Sequence, residues 1–435
     1  MPTTNRRTFL QGSVLTGLGA MAMPAPSRAA SAADKVTVGL IGCGGRGTYL
    51  SGLFANEKNV EVAYVCDVDE ERLARGGREI SGHAPQGVDD LRRVLDDKAV
   101  DAVIVATPDH WHAPAAILAC EAGKHVYVEK PCSHNIREGG LLVDAARRNK
   151  RIVQHGTQVR STDMMIEAVQ KLREGIIGDV MVVKAWNIQK RNSIGHGKPG
   201  EAPVGLDYDN WVGPAAMVPY QENRVHDGWH WWYDFGTGDM GNDGVHDIDY
   251  ARWGLGVTTH PSKVTAVGGK YFFDDDQQFP DTQQVTFEYP GDGKPGNRRM
   301  FIYEQRLWST NYPHNVDSGA EFYGTNGQMF LSRRGKIQVL GQRNRRTEVA
   351  VTPEPQNAEK HVANFLDSVR NDRRPNGDIQ HGHLSSSLCH LGNIATRLGR
   401  SLEFDPEHET FINDDEANAL VSRPYRDHWG APVGA

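Results

Sequence analysis

Three shortages in the sequence narrow its class before any motif is read. Of 435 residues only five are cysteine, an odd number with no C-x-x-C pair and no zinc-like spacing. No disulfide framework follows from such a set. Cys43, Cys66 and Cys120 lie inside apolar strand or helix patterns and read as small core residues. Basic runs longer than short pairs are also missing, and the net charge is -7, so the electrostatic footprint of a nucleic-acid binder is absent. A small neutral or weakly polar ligand fits better. Finally, no stretch reaches the roughly 20 consecutive apolar residues of a spanning helix, so no stable membrane insertion is expected.

The first thirty residues do carry an address. Asn5-Arg6-Arg7-Thr8-Phe9-Leu10 is close to the twin-arginine pattern. A mildly apolar, glycine-rich stretch follows over 12–23, then Pro24, Pro26 and the small-residue run Ala29-Ala30-Ser31-Ala32-Ala33. That order predicts a twin-arginine (Tat) signal over 1–33, cleaved near Ala32, and a periplasmic or otherwise exported protein. The alternative, a membrane anchor, needs a longer apolar stretch. Scarce cysteine suits the Tat route, in which a chain folds in the reducing cytoplasm before export.

From Lys35 onward short β-branched runs alternate with helical stretches. Strands are predicted at 36–41, 60–66, 102–106, 125–129 and 151–154, and helices at 46–55, 70–79, 88–95, 112–122 and 137–149. Short, nearly uninterrupted apolar runs suit strands buried on both faces, and strand–helix alternation means a parallel sheet. Past Gly156 the pattern changes to a helix at 164–174, a strand at 179–187 and a polar, glycine-rich loop. Short strands then recur at 263–268, 283–289, 299–303, 320–324, 328–332 and 336–340, before helices at 358–369 and 384–398. The expected fold class is α/β: a Rossmann dinucleotide-binding domain over 34–157, then a C-terminal α/β domain over 158–435 with a large, mainly antiparallel sheet. An exposed face of that sheet past Ser262 predicts a homo-oligomer.

Gly42-Cys43-Gly44-Gly45-Arg46-Gly47 satisfies G-x-G-x-x-G. Alone the string is weak evidence, but here it follows an apolar strand, opens a helix, and is followed by Asp67 at the end of the next strand. Gly42 makes the tight turn, Gly44 lets backbone approach a pyrophosphate, Gly47 lets helix pack on strand, and the helix N-terminus offers free N–H groups to the anion. Asp67 is placed to accept hydrogen bonds from the adenosine ribose. A carboxylate there repels a 2′-phosphate, which favours NAD; Arg46 and Arg72 can offset the repulsion and keep NADP as the alternative.

Val126-Tyr127-Val128-Glu129-Lys130-Pro131 ends the fifth strand, and Thr107-Pro108 follows the fourth. Further on comes Gly244-Val245-His246-Asp247-Ile248-Asp249, with Arg252-Trp253. These three motifs, in this order, strongly resemble the Gfo/Idh/MocA family of sugar and polyol oxidoreductases, and its exported members are the nearest likeness. The resemblance implies that Lys130 lies between nicotinamide and substrate, where an ammonium stabilises a developing alkoxide. It implies that Glu129 meets the cofactor ribose or orients Lys130, that Thr107, Pro108 and His112 lie near the nicotinamide, and that oligomerisation is common.

His246 is the candidate proton carrier, since an imidazole titrates near neutrality and works in both directions. Many family members place a carboxylate four residues before it; here that position is Asn242, which can position a hydroxyl but cannot take a proton. Asp249, three residues after His246, matches a substrate-side position of the family, and Arg160 is a further candidate substrate contact. Trp229 and His230, within the run His226-Asp227-Gly228-Trp229-His230-Trp231-Trp232-Tyr233-Asp234, offer stacking for the C–H faces of a sugar; the competing reading buries these aromatics in the core. His110, His112 and His134 lack convergent carboxylates or thiols, so no metal site is expected.

Two enzyme classes share this chemistry. The first is an NAD(P)-dependent oxidoreductase acting on a sugar or sugar derivative. The second oxidises a ring hydroxyl transiently, eliminates the glycosidic group, adds water and reduces again, a redox-neutral glycoside hydrolysis. A non-catalytic sugar- or nucleotide-binding protein is the third reading, and needs Lys130 and His246 to be idle. Free NAD is scarce outside the cytoplasm, so the cofactor is expected to be tightly bound.

Overall fold

The apolar runs form β1 (Val36–Ile41), β2 (Val60–Cys66), β3 (Gln86–Val88), β4 (Ala102–Val105), β5 (His125–Val128) and β6 (Val153–His155), a parallel sheet in the order β3-β2-β1-β4-β5-β6. The structure is a computed structural model and describes residues 35–80 and 84–434; the expected signal peptide over 1–33 lies outside them. Helices α1 (Gly45–Ala55), α2 (Glu70–Glu79), α3 (Leu91–Asp96), α4 (Asp109–Glu121) and α5 (Ile136–Arg148) make the crossovers. The helix expected at 88–95 is present as α3 but starts only at Leu91, and Val88 ends strand β3. The strand is three residues long with two of them exposed, so it shows no apolar run, while Asp90 caps α3 by accepting a hydrogen bond from the Arg92 N–H at 2.9 Å. Helix α4 begins three residues before the expected 112, because it is buried on nearly all sides and so carries no amphipathic stripe to mark its start.

Beyond α6 (Asp163–Arg173), a ten-stranded sheet is built from β7 (Val180–Asn187), β8 (Lys263–Gly269), β9 (Thr282–Tyr289), β10 (Arg299–Arg306), β11 (Ser318–Gly324), β12 (Gly327–Ser332), β13 (Lys336–Gly341), β14 (Arg346–Thr347), β15 (Leu402–Asp405) and β16 (Thr410–Phe411). Its order is β14-β13-β12-β11-β7-β10-β9-β8-β15-β16, antiparallel except that β7 runs parallel to β10. Alternation sets its faces: Val285, Phe287 and Tyr289 are buried while Gln284 is exposed. The buried face receives α8 (Val245–Leu255), which follows the short α7 (Tyr208–Val212), and later α10 (Ile379–Leu398), which follows α9 (Ala358–Asn371).

The expected boundary at 157/158 marks a change of sheet and no break in packing, since 35–435 form one compact unit. Helix α9 returns to the first sheet, where Phe365 and Leu366 share a core with Phe54 of α1 and Tyr127 of β5. The Phe54 ring centroid is 5.8 Å from both Tyr127 and Phe365, in edge-on geometry. Among the described residues no helix is long and apolar enough to cross a membrane.

Candidate active site

Parallel register brings three sequence-distant segments side by side. Ile41, Val105 and Val128 are neighbours across β1, β4 and β5, so the residues that follow each strand emerge together at the carboxyl edge of the sheet. Strand order reverses between β1 and β4, which opens a crevice at that edge. The crevice holds a cavity of about 460 Å³ bordered by Gly42, Gly44, Gly45, Thr107, Pro108 and Glu129 on one side and by Asn242 and His246 on the other.

The glycine loop is shaped to hold a dinucleotide. Gly42 has φ +96°, and a Cβ there would lie 2.6 Å from the Ala106 carbonyl oxygen. A Cβ on Gly47 would lie 1.9 Å from the Gly42 carbonyl oxygen, so this glycine packs α1 against β1. Nothing lies within 4 Å of a Cβ built on Gly45, the first residue of α1, and Gly44 before it makes no side-chain cap. Uncapped N–H groups at a helix N-terminus beside open space suit an anion such as a pyrophosphate. Asp67 accepts hydrogen bonds from the Cys43 N–H at 2.7 Å and the Asp69 N–H at 3.0 Å, two of the roughly four acceptor positions on a carboxylate. The Thr107 hydroxyl is buried without a partner among the described residues, a polar atom on the cavity wall that a bound ligand would satisfy. Both ring nitrogens of His112 face carbonyl oxygens, those of Pro131 at 2.6 Å and Thr107 at 2.8 Å.

Lys130 crosses the cavity. Its ammonium donates to the Asn242 carbonyl at 2.8 Å and to Asn242 Oδ1 at 2.9 Å. Asn242 sits in a π-helical turn, Met240–Gly244, a wider turn than the α-helix α8 into which it leads directly. Asn242 Nδ2 in turn donates to Asp239 Oδ1 at 3.2 Å. His246, in the first turn of α8, is buried with Nδ1 unpartnered among the described residues. Burial, then the cations Arg333 and Lys130, push its proton affinity well below the usual imidazole range, against a smaller opposing effect of Asp243.

Several neighbours carry no motif. Arg191 donates to Asp239 at 2.7 Å and also to Asp243; Arg333 donates to Asp243 at 3.3 Å. Burial alone would raise the Asp243 carboxyl, but Arg333, Lys130 and Arg191 together hold it well below its ordinary range. These partners sit 48 to 90 residues away from the acids they bind, so only folding could reveal them. Trp429 near the C-terminus also borders the cavity, with the Arg92 guanidinium 4.4 Å above its ring, so this segment packs back onto the first domain.

One expectation is corrected. Arg160 and Asp249, expected at the substrate, border no part of this cavity. They are almost fully buried and bind each other bidentately, Nε to Oδ2 at 2.7 Å and Nη2 to Oδ1 at 2.9 Å, with the Ser385 hydroxyl donating to Oδ1 at 2.6 Å. Burial works against the charge, but Arg160 and then Arg252 and Ser385 hold the Asp249 carboxyl down at about 2. Breaking such a pair strands a buried charge. Asp249→Ala is therefore expected to cost about 3–5 kcal/mol of stability in urea unfolding while leaving cofactor affinity unchanged; a single variant as stable as the parent would refute this placement. Arg46, expected at the cofactor, borders the cavity and donates to Glu129 Oε1 at 2.7 Å and to Gln158 at 3.3 Å. Burial would raise Glu129, but Arg46 and Lys130 outweigh it and keep the carboxyl below its usual range. Arg72 also lies beside the loop, 3.0 Å from a Cβ built on Gly44.

The aromatic run divides. Trp229 and His230 border the cavity, their rings stacked with centroids 3.6 Å apart, while Trp231 and Trp232 are buried. His110 and His112 are engaged by backbone carbonyls, and with His134 they join no ligand cluster among the described residues.

Two family profiles match the chain. Residues 36–157 match the oxidoreductase family, NAD-binding Rossmann fold, and residues 184–431 the oxidoreductase family, C-terminal alpha/beta domain. A "Glycosyl hydrolase family 109 protein" of Saccharopolyspora erythraea is 33% identical over 205 residues, 41% of this chain and 44% of that protein, so the chain spans under half the length of this curated relative. Levoglucosan dehydrogenase in complex with NADH superposes with a TM-score of 0.66 at 20% identity, over 85% of this chain and 99% of the other. The WlbA dehydrogenase from Bordetella pertussis, in complex with NADH and UDP-GlcNAcA, gives 0.64 at 18% identity over 85% and 99%. At these identities the two structures establish a shared fold.

Proposed function

Because the chain belongs to the Gfo/Idh/MocA oxidoreductase family and carries its NAD-binding Rossmann domain, we propose that it moves a hydride between NAD and a hydroxyl-bearing carbon of a sugar or sugar derivative. The observation that carries the reading is the convergence of Lys130 and His246 on the cavity that the glycine loop also borders. When bound, the nicotinamide supplies the hydride acceptor or donor. Lys130 uses two of its three N–H donors on Asn242, which leaves one for a substrate oxygen, and its charge stabilises that oxygen as the proton leaves. His246, kept neutral by its surroundings, takes the proton in the oxidising direction and returns it in the other. Asn242 positions Lys130, and the Arg191–Asp239–Asp243–Arg333 network holds the π-turn that carries Asn242. Trp229 and His230 present a stacked face to the apolar side of a sugar ring.

The resemblance to a glycosyl hydrolase family 109 protein favours a second reading, redox-neutral glycoside hydrolysis, in which the same two residues serve a transient oxidation. A ring ketone acidifies the adjacent C–H, the glycosidic group leaves by elimination, water adds, and the ring is reduced again. One experiment separates the two. The purified protein is examined for bound nicotinamide by its absorbance, then offered free sugars and chromogenic glycosides. NADH accumulating with free sugars supports the dehydrogenase; aglycone release without net NADH would replace it with the hydrolase.

The amino-terminal pattern supports export by the Tat route with NAD already bound, and the largely solvent-facing side of the ten-stranded sheet, which includes Val267 and Met300, supports association of copies through that face. Size-exclusion chromatography of the mature protein is expected to return an oligomer; monomer alone would remove that part of the proposal.

A further inference from the structure

Away from the cavity, two histidines and a glutamate converge. His260 precedes β8, His383 lies in α10, and Glu409 sits in the turn between β15 and β16. His260 Nε2 is 2.9 Å and His383 Nε2 2.6 Å from the same oxygen, Glu409 Oε1, and all three ligand atoms lie within 4.8 Å of one another. Both imidazoles are nearly inaccessible, at 4% and 2%, while the Glu409 side chain retains 29% of its exposure. The cluster does not border the dinucleotide cavity.

Helix α5 is cut back to admit the cluster. A Cβ on Gly139 would lie 2.3 Å from His383 Nδ1, and one on Gly140 3.2 Å from Glu409 Oε2. Two consecutive glycines inside a helix are unfavourable for the helix itself; here they let the His383 ring and the Glu409 carboxylate close onto its backbone.

We propose that His260, His383 and Glu409 form a structural site for a divalent transition ion of the zinc class, clamping α10, the start of β8 and the β15–β16 turn against α5. Imidazole and carboxylate are zinc ligands, and three of them leave a fourth tetrahedral position for water, which the partly exposed Glu409 opens to solvent. Tetrahedral zinc with bonds near 2.0–2.1 Å separates its ligand atoms by roughly 3.3 Å, so binding needs both imidazole nitrogens, now 2.9 and 2.6 Å from Glu409 Oε1, to move away from that oxygen by less than about 1 Å. With both Nε2 lone pairs on the ion, each Nδ1 carries the proton, and His383 Nδ1 has the Ser387 hydroxyl at 3.4 Å. His260 Nδ1 has no partner among the described residues. With no ion bound, the same groups form two imidazole-to-carboxylate hydrogen bonds, so the fold does not require the metal.

The test uses tag-free protein stripped with a chelator and titrated with zinc chloride by calorimetry, with thermal unfolding in parallel. One zinc per chain and a raised Tm are expected, and cobalt(II) at the same site should give the intense visible bands of tetrahedral coordination. Glu409→Gln, conservative in size and partly exposed, is expected to weaken zinc at least as much as loss of a supporting outer group does, roughly 100-fold, with His383→Ala behaving alike. His408→Ala, which removes the exposed neighbouring imidazole, should retain full binding. If His383→Ala fails to fold, Glu409→Gln decides the matter. Absence of stoichiometric zinc in the parent, or zinc binding and Tm shift unchanged in Glu409→Gln, would overturn the proposal.

Discussion

Lys130→Met should lower kcat by roughly 100- to 1,000-fold, the range found when one preorganised donor to a developing oxyanion is removed, with little change in affinity for NAD. The asymmetry follows from where the ammonium points. Its contacts in the structure are to Asn242, on the far side of the cavity from the glycine loop, so its loss removes charge stabilisation at the substrate oxygen while leaving Gly42 to Gly47 and Asp67 in place. Single-turnover formation of NADH, followed at its own absorbance, measures the first quantity, and quenching of tryptophan fluorescence by added NAD the second. A variant within tenfold of the parent in kcat would remove Lys130 from the chemistry.

His246→Gln carries the other large effect, roughly 100- to 10,000-fold for a positioned acid–base group, and its pH signature is more diagnostic than its size. His246 is pushed well below the ordinary imidazole range, first by burial and then by Arg333 and Lys130. A base with a depressed pKa is deprotonated, and ready, at all pH values above that pKa. The oxidation rate of the parent should therefore stay flat from about pH 6.5 to 8, where an unperturbed histidine would still titrate, and fall only at lower pH. In His246→Gln that acid limb should vanish along with most of the rate. A parent profile with its midpoint near the unperturbed histidine value would contradict the assignment even if the variant were slow. Asn242 sharpens the contrast, because a carboxylate at that position would favour the protonated imidazole and shift the limb toward neutrality; Asn242→Asp should do so.

Much of this was legible in consecutive residues. The strands β1, β2, β4 and β5 announce themselves as short apolar runs, and the glycine loop, Glu129-Lys130-Pro131 and the segment around His246 are each contiguous, so that their partial geometry is set by local backbone chemistry. The three-residue β3, the four-residue β15 and the two-residue β16 were not legible, since strands this short give a period-2 pattern too few repeats to show. Helix α4 was placed late for the opposite reason: burial on all sides erases the stripe that marks a helix from its sequence.

The assignment of charged groups shows the limit most clearly. Arg160 and Asp249 are 89 residues apart, and nothing near either one says whether its charge meets solvent, substrate or the other. Arg46 and Glu129 are 83 residues apart, and only the fold pairs them. Six rings in one short run were equally fit for a sugar face, and of these His226, Trp229 and His230 border the cavity. By itself, then, the sequence determined the Rossmann domain, the NAD-binding loop and the candidacy of Lys130 and His246, because each rests on periodicity or on spacing within a few residues. Which charges are buried in pairs, which rings are exposed to a ligand, and that His260, His383 and Glu409 meet at all were decided by tertiary structure, because desolvation and Coulomb energy depend on what packs against a group and not on what precedes it in the chain.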